Sequence, residues 1–343
     1  MSNHRSPGSY ADQIPARPSR RAAVAAAVTG SAVRPLLAAI PLTSSGVWFS
    51  RRLVAMSMGL YGSVVRGTRV IPVADGAVVG EWVCAPGVSR DNSRSAIYYL
   101  HGSAYVVCSA RTHRALASNL SRDTGLPVFV LDYRLAPEHL FPAAADDVES
   151  GYRWIREQGY AAENVVVAGD SAGGHLALDL VIENMSAGIA QPAAVVLFSP
   201  LIDLTFGLAA EQEKHRRDPM ISAEAARRLV DLYTHEHPED SPRLRLTAPA
   251  GHALPPFLVQ AGGAEMLSAD ARHLAELLRA AGGTCDLQIW PGQMHVFQAL
   301  PRLIPEAGPA LRRAAQFVAD VLAQATDTAV ADTARTDTAD RVG

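Results

Sequence analysis

Residues Val165-Val166-Val167-Ala168-Gly169-Asp170-Ser171-Ala172-Gly173-Gly174 decide the reading of this chain. An apolar run meets a serine flanked by glycines, and a helical pattern follows from His175. Gly-x-Ser-x-Gly between a strand and a helix puts its serine on a strained elbow, with the hydroxyl exposed above a sheet. Gly169 and Gly173 are small because strand and helix backbones approach closely at such a turn. A serine hydroxyl is a weak nucleophile alone. The motif therefore predicts a histidine base, an acid behind it and backbone donors for an oxyanion.

Outward from this elbow the chain alternates strand and helix. Strand patterns fall at 68–73, 78–84, 95–100, 128–133, 164–168, 194–199, 256–261 and 285–290. From the third onward they are short, apolar and separated by helical stretches, as strands of a buried parallel sheet should be. The first two alternate more and predict an antiparallel pair at one edge. Two helical patterns, 20–40 and 48–65, precede them, separated by Pro41-Leu-Thr-Ser-Ser-Gly46. Residues 203–250 break the rhythm. They are polar and helical, carry His215, His235 and His237, and read as an insertion before the strand at 256–261. The Ser/Pro/Arg-rich start (1–19) and the Thr/Asp/Ala tail (325–343) read as disordered, which leaves 20–66 as an N-terminal helical unit and 67–324 as the body.

The 343 residues are 48% hydrophobic, enough for one large α/β core. The net charge of −3, with no long charge run, gives no sign of a nucleic-acid partner, and none is expected. Cys84, Cys108 and Cys285 are odd in number and widely spaced, so the chain reads as reduced and cytoplasmic, without a disulfide framework or metal site. Ser19-Arg20-Arg21 before Ala22–Val33 offers the alternative of an export signal or cell-envelope association. The run is too short to span a bilayer, Arg34 interrupts it, and no Ala-x-Ala site follows. A helix packed on the body explains the same letters, and no stable membrane insertion is expected.

The elbow's partners can be found in order. Ile97-Tyr-Tyr-Leu-His101-Gly102-Ser103-Ala104-Tyr105 is a strand ending in a histidine and small residues, which suits an oxyanion loop. The expected donors lie in Gly102, Ser103 and Ala104, with Ala172 after the nucleophile, while His101 orients the loop. Leu287-Gln-Ile-Trp-Pro-Gly-Gln-Met-His295 puts a histidine on the loop after the last strand, where His295 would be the base. Phe257-Leu-Val-Gln-Ala-Gly-Gly-Ala-Glu265 puts Glu265 beyond the penultimate strand as the acid. Asp270 competes, although it sits where a helix N-terminus favours a carboxylate anyway; Asp203 competes one strand too early.

From about Thr68 to Leu322 the chain resembles the hormone-sensitive lipase-like, family IV carboxylesterases of the α/β-hydrolases. The resemblance rests on His101-Gly-Ser-Ala-Tyr, Asp132-Tyr-Arg-Leu-Ala-Pro-Glu138-His, Phe141-Pro-Ala-Ala, Gly169-Asp-Ser-Ala-Gly-Gly174, Glu265-Met-Leu and Gly292-Gln-Met-His295-Val-Phe. It implies an α/β-hydrolase fold with a mostly parallel eight-stranded sheet, helices on both faces and a helical cap. Residues 20–66 and 203–250 would form that cap over the acyl pocket. It implies hydrolysis of short- to medium-chain acyl esters through an acyl-enzyme, without cofactor or metal, and homodimerisation through the edge strand. Three residues depart from the pattern. Ser103 and Ala104 replace glycines, so bulky esters such as those of tertiary alcohols should be poor substrates. Glu265 replaces the commoner aspartate, and Cys108 replaces a glycine and offers a site where oxidation would affect activity. Lipase, thioesterase, amidase and acyltransferase chemistry use the same triad. A non-catalytic ligand binder of this fold usually lacks the histidine, which is present here.

Overall fold

The apolar runs pair into one sheet of eight strands: β1 (Arg69–Asp75), β2 (Val78–Cys84), β3 (Ala96–Leu100), β4 (Val128–Leu131), β5 (Val165–Asp170), β6 (Ala194–Phe198), β7 (Phe257–Gly262) and β8 (Cys285–Trp290). This computed structural model describes residues 14–102, 104–235, 241–247 and 251–339. The spatial order is β1-β2-β4-β3-β5-β6-β7-β8. β2 runs antiparallel to both β1 and β4, and every other neighbouring pair is parallel. All eight strands lie where the sequence puts them, with ends shifted by a residue or two. β3, β5 and β6 are buried along their whole length, which is why they read as unbroken apolar runs. β1 is an exposed edge strand and tolerates Pro72 for that reason.

Helices cover both faces. On one, α4 (Ala110–Thr124) and α10 (Ala307–Ala339) pack Leu116, Leu120, Leu311 and Val318 against Val166 and Val196 of the sheet. On the other, α5 (Ala143–Glu157), α6 (Ala172–Ser186) and α9 (Ser268–Ala280) pack Ile155, Leu176 and Leu274 against Val167 and Val259. Val166 and Val167 thus serve opposite cores, as the two-residue period of a strand requires.

Two further stretches of chain, those expected to form a cap, add helices outside the sheet's two layers. α1 (Arg20–Val28) continues through a π turn (Thr29–Val33) into α2 (Arg34–Ala39), and α3 (Ser44–Tyr61) follows. The insertion supplies α7 (Gly207–His215) and α8 (Ala223–Thr234), with no strand among its described residues. Ser19 and Thr43 cap α1 and α3 through their side-chain oxygens. Arg34 joins the two stretches by pairing with Glu213 at 3.0 Å and bonding the Asp218 carbonyl. Arg51 of α3 donates to the Val106 and Ala136 carbonyls at 2.8 and 2.9 Å and grips Glu138 with both terminal nitrogens.

Two ends differ from the sequence reading. The start is not free up to residue 19: Ile14 packs beside Trp290 and Phe297, Pro18 lies over Gly292, and Ser19 bonds Glu306. α1 follows by burying Ala22 and Ala25 in the same cluster. At the other end α10 continues to Ala339, where disorder was expected from 325. No Gly or Pro interrupts residues 310–339, and extending a docked helix needs no new nucleus. Residues 1–13 and His237 lie outside the described residues.

Candidate active site

The predicted residues gather at the C-terminal edge of the parallel strands, the end at which open α/β sheets place their sites. Ser171 directly follows β5, His101 follows β3, Glu265 lies three residues beyond β7, and His295 five beyond β8. Ser171 has φ 51° and ψ −119°, a conformation that costs a non-glycine residue about 1–3 kcal/mol. The surroundings hold it there. Its N–H bonds the Phe198 carbonyl at 3.0 Å, and its carbonyl accepts from Gly174 and Leu201 at 2.9 and 3.0 Å. A Cβ on Gly173 would strike the Leu100 carbonyl, and one on Gly169 would come within 2.6 Å of the Gly173 oxygen. The elbow needs both glycines for close approach.

Glu265 and His295 are brought together. His295 Nδ1 lies 2.6 Å from Glu265 Oε2, with the carboxylate fully buried and the imidazole 18% exposed. A carboxylate only accepts, so this bond fixes the proton on Nδ1 and leaves Nε2 with its lone pair. Burial opposes charging the imidazole. The Glu265 hydrogen bond and charge outweigh it, aided by Asp218 and Asp170, and raise the His295 pKa above its usual value.

Neither rival acid holds this histidine. Asp270 accepts the N–H groups of Ile202 and Asp203 at 2.9 and 2.8 Å, and burial raises its pKa to about 7. Asp203 accepts from Thr205 and Leu208 and so caps the start of α7.

Ser199 went unnoticed in the sequence. Its hydroxyl donates to Glu265 Oε1 at 2.7 Å and accepts the Val296 N–H at 3.0 Å, while its own N–H bonds the Gln260 carbonyl. It therefore joins Glu265 to the residue after His295, and Phe198 beside it holds Ser171. The available signal was a polar residue closing a buried strand at the same edge as the elbow. Asp218 of the insertion was also missed: its Oδ2 accepts the Met266 N–H at 2.8 Å, tying the cap to the residue after Glu265.

On the other side, a second buried carboxylate fixes the loop after β3. Asp170 accepts from Gly102 N at 2.9 Å and Tyr99 Oη at 2.8 Å, and lies 3.3 Å from His113 Nε2. Burial alone would raise its pKa; His113, Tyr99 and the Gly102 N–H together hold it below the usual value. The Gly102 N–H is therefore committed to Asp170, which corrects its expected place among the oxyanion donors. Gly102 contributes room instead, since a Cβ there would collide with the Asp170 carboxylate.

Ala104 sits at φ 47°, a left-handed backbone that its Cβ makes costly. Ala172 opens α6, where the first N–H groups have no partner within the helix. The Ser103 donor lies outside the described residues. His101 stacks on Tyr133 at 4.3 Å, and its carbonyl accepts the Tyr133 hydroxyl at 2.6 Å. Burial, with the His113 charge, lowers its pKa to about 3, so it stays neutral and suits the orienting role. Burial and the Asp170 charge push the Cys108 thiol up to about 12, which weakens the case for facile oxidation there.

Fold and site together define a class. The α/β-hydrolase fold family model matches residues 97–299, and the chain belongs to that family. Within it, the chain is a member of the hormone-sensitive lipase-like esterase branch. It is 35% identical to the carboxylesterase/phospholipase LipF of Mycobacterium tuberculosis over 89% of this chain and 83% of that one. It is likewise 35% identical to an acetyl-hydrolase of Streptomyces hygroscopicus, covering 74% of this chain and 84% of the relative. Among solved structures, an esterase from the bacterial hormone-sensitive lipase family superimposes with a TM-score of 0.79 at 31% identity, covering 89% of this chain and 99% of that chain. Among the described residues no helix is long and apolar enough to cross a membrane.

Proposed function

We propose that this protein is a serine carboxylesterase that cleaves short- to medium-chain acyl esters through an acyl-enzyme. The observation that carries the reading is the 2.6 Å bond from His295 Nδ1 to the buried Glu265, at the sheet edge that presents the Ser171 elbow. In this mechanism Nε2 of His295 takes the Ser171 proton as Oγ attacks the ester carbonyl. Glu265 holds the tautomer and stabilises the imidazolium. Backbone N–H groups of Ser103, Ala104 and Ala172 receive the oxyanion, and losing one such donor costs about 3–4 kcal/mol of transition-state stabilisation. His295 returns the proton to the leaving alcohol; water then attacks the acyl-enzyme by the same route. The chemistry requires no metal or cofactor. The acetyl-hydrolase relative supports the short end of the acyl range. The docking of Ser19 and α1 on the body supports a cap helix at Arg20-Arg21 over an export signal, and three free cysteines suit a reduced compartment.

The test is a pre-steady-state assay with p-nitrophenyl esters from acetate to palmitate, on wild type and Ser171→Ala. A p-nitrophenol burst that vanishes in Ser171→Ala and is largest for short chains is the expected result. Turnover that survives Ser171→Ala would remove the acyl-enzyme route.

A further inference from the structure

The N-terminal cap presents an apolar face to solvent. On α3, Trp48, Arg52, Met56 and Leu60 recur every four residues with Phe49 beside them, so they form one stripe of the helix. Trp48 is 58% exposed, Met56 67% and Leu60 61%. The other side of the helix is anchored: Val47 is buried, Met58 packs on the α4/α10 core, and Arg51 makes the clamp described above. A helix of a water-soluble protein normally turns its apolar stripe inward. An exposed aromatic and methionine stripe marks a surface that something else covers.

Charge says what covers it. Beside the stripe lies a groove of about 940 Å³ between α3 and α4, lined in part by Arg51, Arg52, Arg111, Arg114 and Arg302, with no Asp or Glu among its described lining residues. Arg51 and Arg114 pair with Glu138 and Glu81. Arg52, Arg111 and Arg302 have no carboxylate partner among the described residues. On a chain of net charge −3 this is a local concentration of cations. The Arg52 guanidinium lies 5.0 Å from the centre of the Trp48 ring, so cation and apolar ring reach solvent at one spot. That pairing suits the boundary between lipid headgroups and acyl chains.

We propose that α3 and the arginine groove beside it form a docking face for the surface of an anionic phospholipid bilayer, with the apolar stripe among the headgroups and the arginines on lipid phosphates. Attachment is peripheral, as for interfacial amphipathic helices. It is independent of the ester chemistry, and its test needs no turnover.

Of the four tryptophans, Trp82, Trp154 and Trp290 are buried, so a change in intrinsic fluorescence on adding vesicles reports Trp48. The full chain is mixed with vesicles of phosphatidylcholine alone, or with one third phosphatidylglycerol, and both fluorescence and co-sedimentation are read. A blue shift and sedimentation with the anionic vesicles are expected, with the shift abolished in Trp48→Phe. Partitioning should fall about fivefold for each of Arg52→Gln and Arg111→Gln, the ~1 kcal/mol a basic residue contributes at an anionic surface. Met56→Glu should abolish it, while the unfolding midpoint stays at the wild-type value and shows the fold intact. Equal partitioning into neutral and anionic vesicles, or binding unaffected by Met56→Glu, would overturn the proposal. So would a dimer that Met56→Glu converts to monomer while vesicles leave Trp48 unchanged, which would assign the face to a second copy of this chain.

Discussion

Two histidine–carboxylate pairs sit at the same edge of this sheet, and they are wired differently. His295 bonds Glu265 through Nδ1 alone, keeps part of its ring exposed, and leaves Nε2 available. His113 meets Asp170 through Nε2 and has Thr112 Oγ1 at 3.0 Å from Nδ1, within a fully covered setting. Both carboxylates are buried, and both also take a backbone N–H: Glu265 from Gly262, Asp170 from Gly102. The difference lies in the histidine. A ring with both nitrogens occupied can only hold a loop, whereas a ring with one nitrogen open can move a proton. The unused atom is what the proposed catalytic pair has and the other lacks.

Five substitutions test that contrast. The largest effect belongs to His295→Ala, which should lower kcat for a p-nitrophenyl ester by about 10⁴-fold or more without lowering the unfolding midpoint. A comparable loss in His113→Ala with the fold intact would break the contrast. Next is Glu265→Gln, for which kcat should fall roughly 10³- to 10⁴-fold, as expected when a triad histidine loses its tautomer. The pH profile sharpens the point. The base works unprotonated, so kcat/KM falls as pH drops through the His295 pKa, which in the wild type lies above 6.5. Glu265→Gln removes the main influence raising that pKa, so the acid limb should move to lower pH.

Asp170→Asn should instead act on the fold. Hydrogen bonds to a buried charge contribute about 1.5–3 kcal/mol, so denaturant unfolding should show a loss of that order. The acid limb should move to lower pH by less than in Glu265→Gln, because Asp170 adds less than Glu265 to the rise of the His295 pKa. A shift as large as that of Glu265→Gln would mean that Asp170 governs the proton as much as the loop. The smallest effect is Ala104→Gly. Relief of the positive φ should stabilise by about 1 kcal/mol, and removal of the Cβ should raise kcat/KM a few-fold for esters of tertiary alcohols over ethyl esters. An unchanged ratio would show that the oxyanion loop does not set the room around the alcohol.

The contrast also explains what the sequence could show. Strand positions and the elbow were legible because local rules carry them: unbroken apolar runs such as 165–168, and glycines at 169 and 173 where two backbones meet. Glu265 and His295 were legible by position, each on a loop after a late strand. Ser199 was not, because its role depends on Glu265 and Val296, far along the chain, meeting at one hydroxyl. Asp218 lay in a polar insertion where one carboxylate looks like any other until Met266 arrives beside it. Gly102 was misread because the partner of its N–H, Asp170, belongs to a different strand. Disorder was expected at both ends on composition alone, which is blind to Trp290 and Phe297 covering Ile14, and to a helix already under way at residue 325.

The bond from the Ser19 N–H to Glu306 spans 287 positions of sequence. α1 leaves the ribosome well before the surfaces that bury it, around Trp290, Met294 and Ala310. At about 5–20 residues per second the wait is roughly 15–60 s. Throughout that time Ala22 and Ala25 travel with the nascent chain without their final cover. α1 is thus open to chaperones and proteases during synthesis until the segment around Ala310 has emerged.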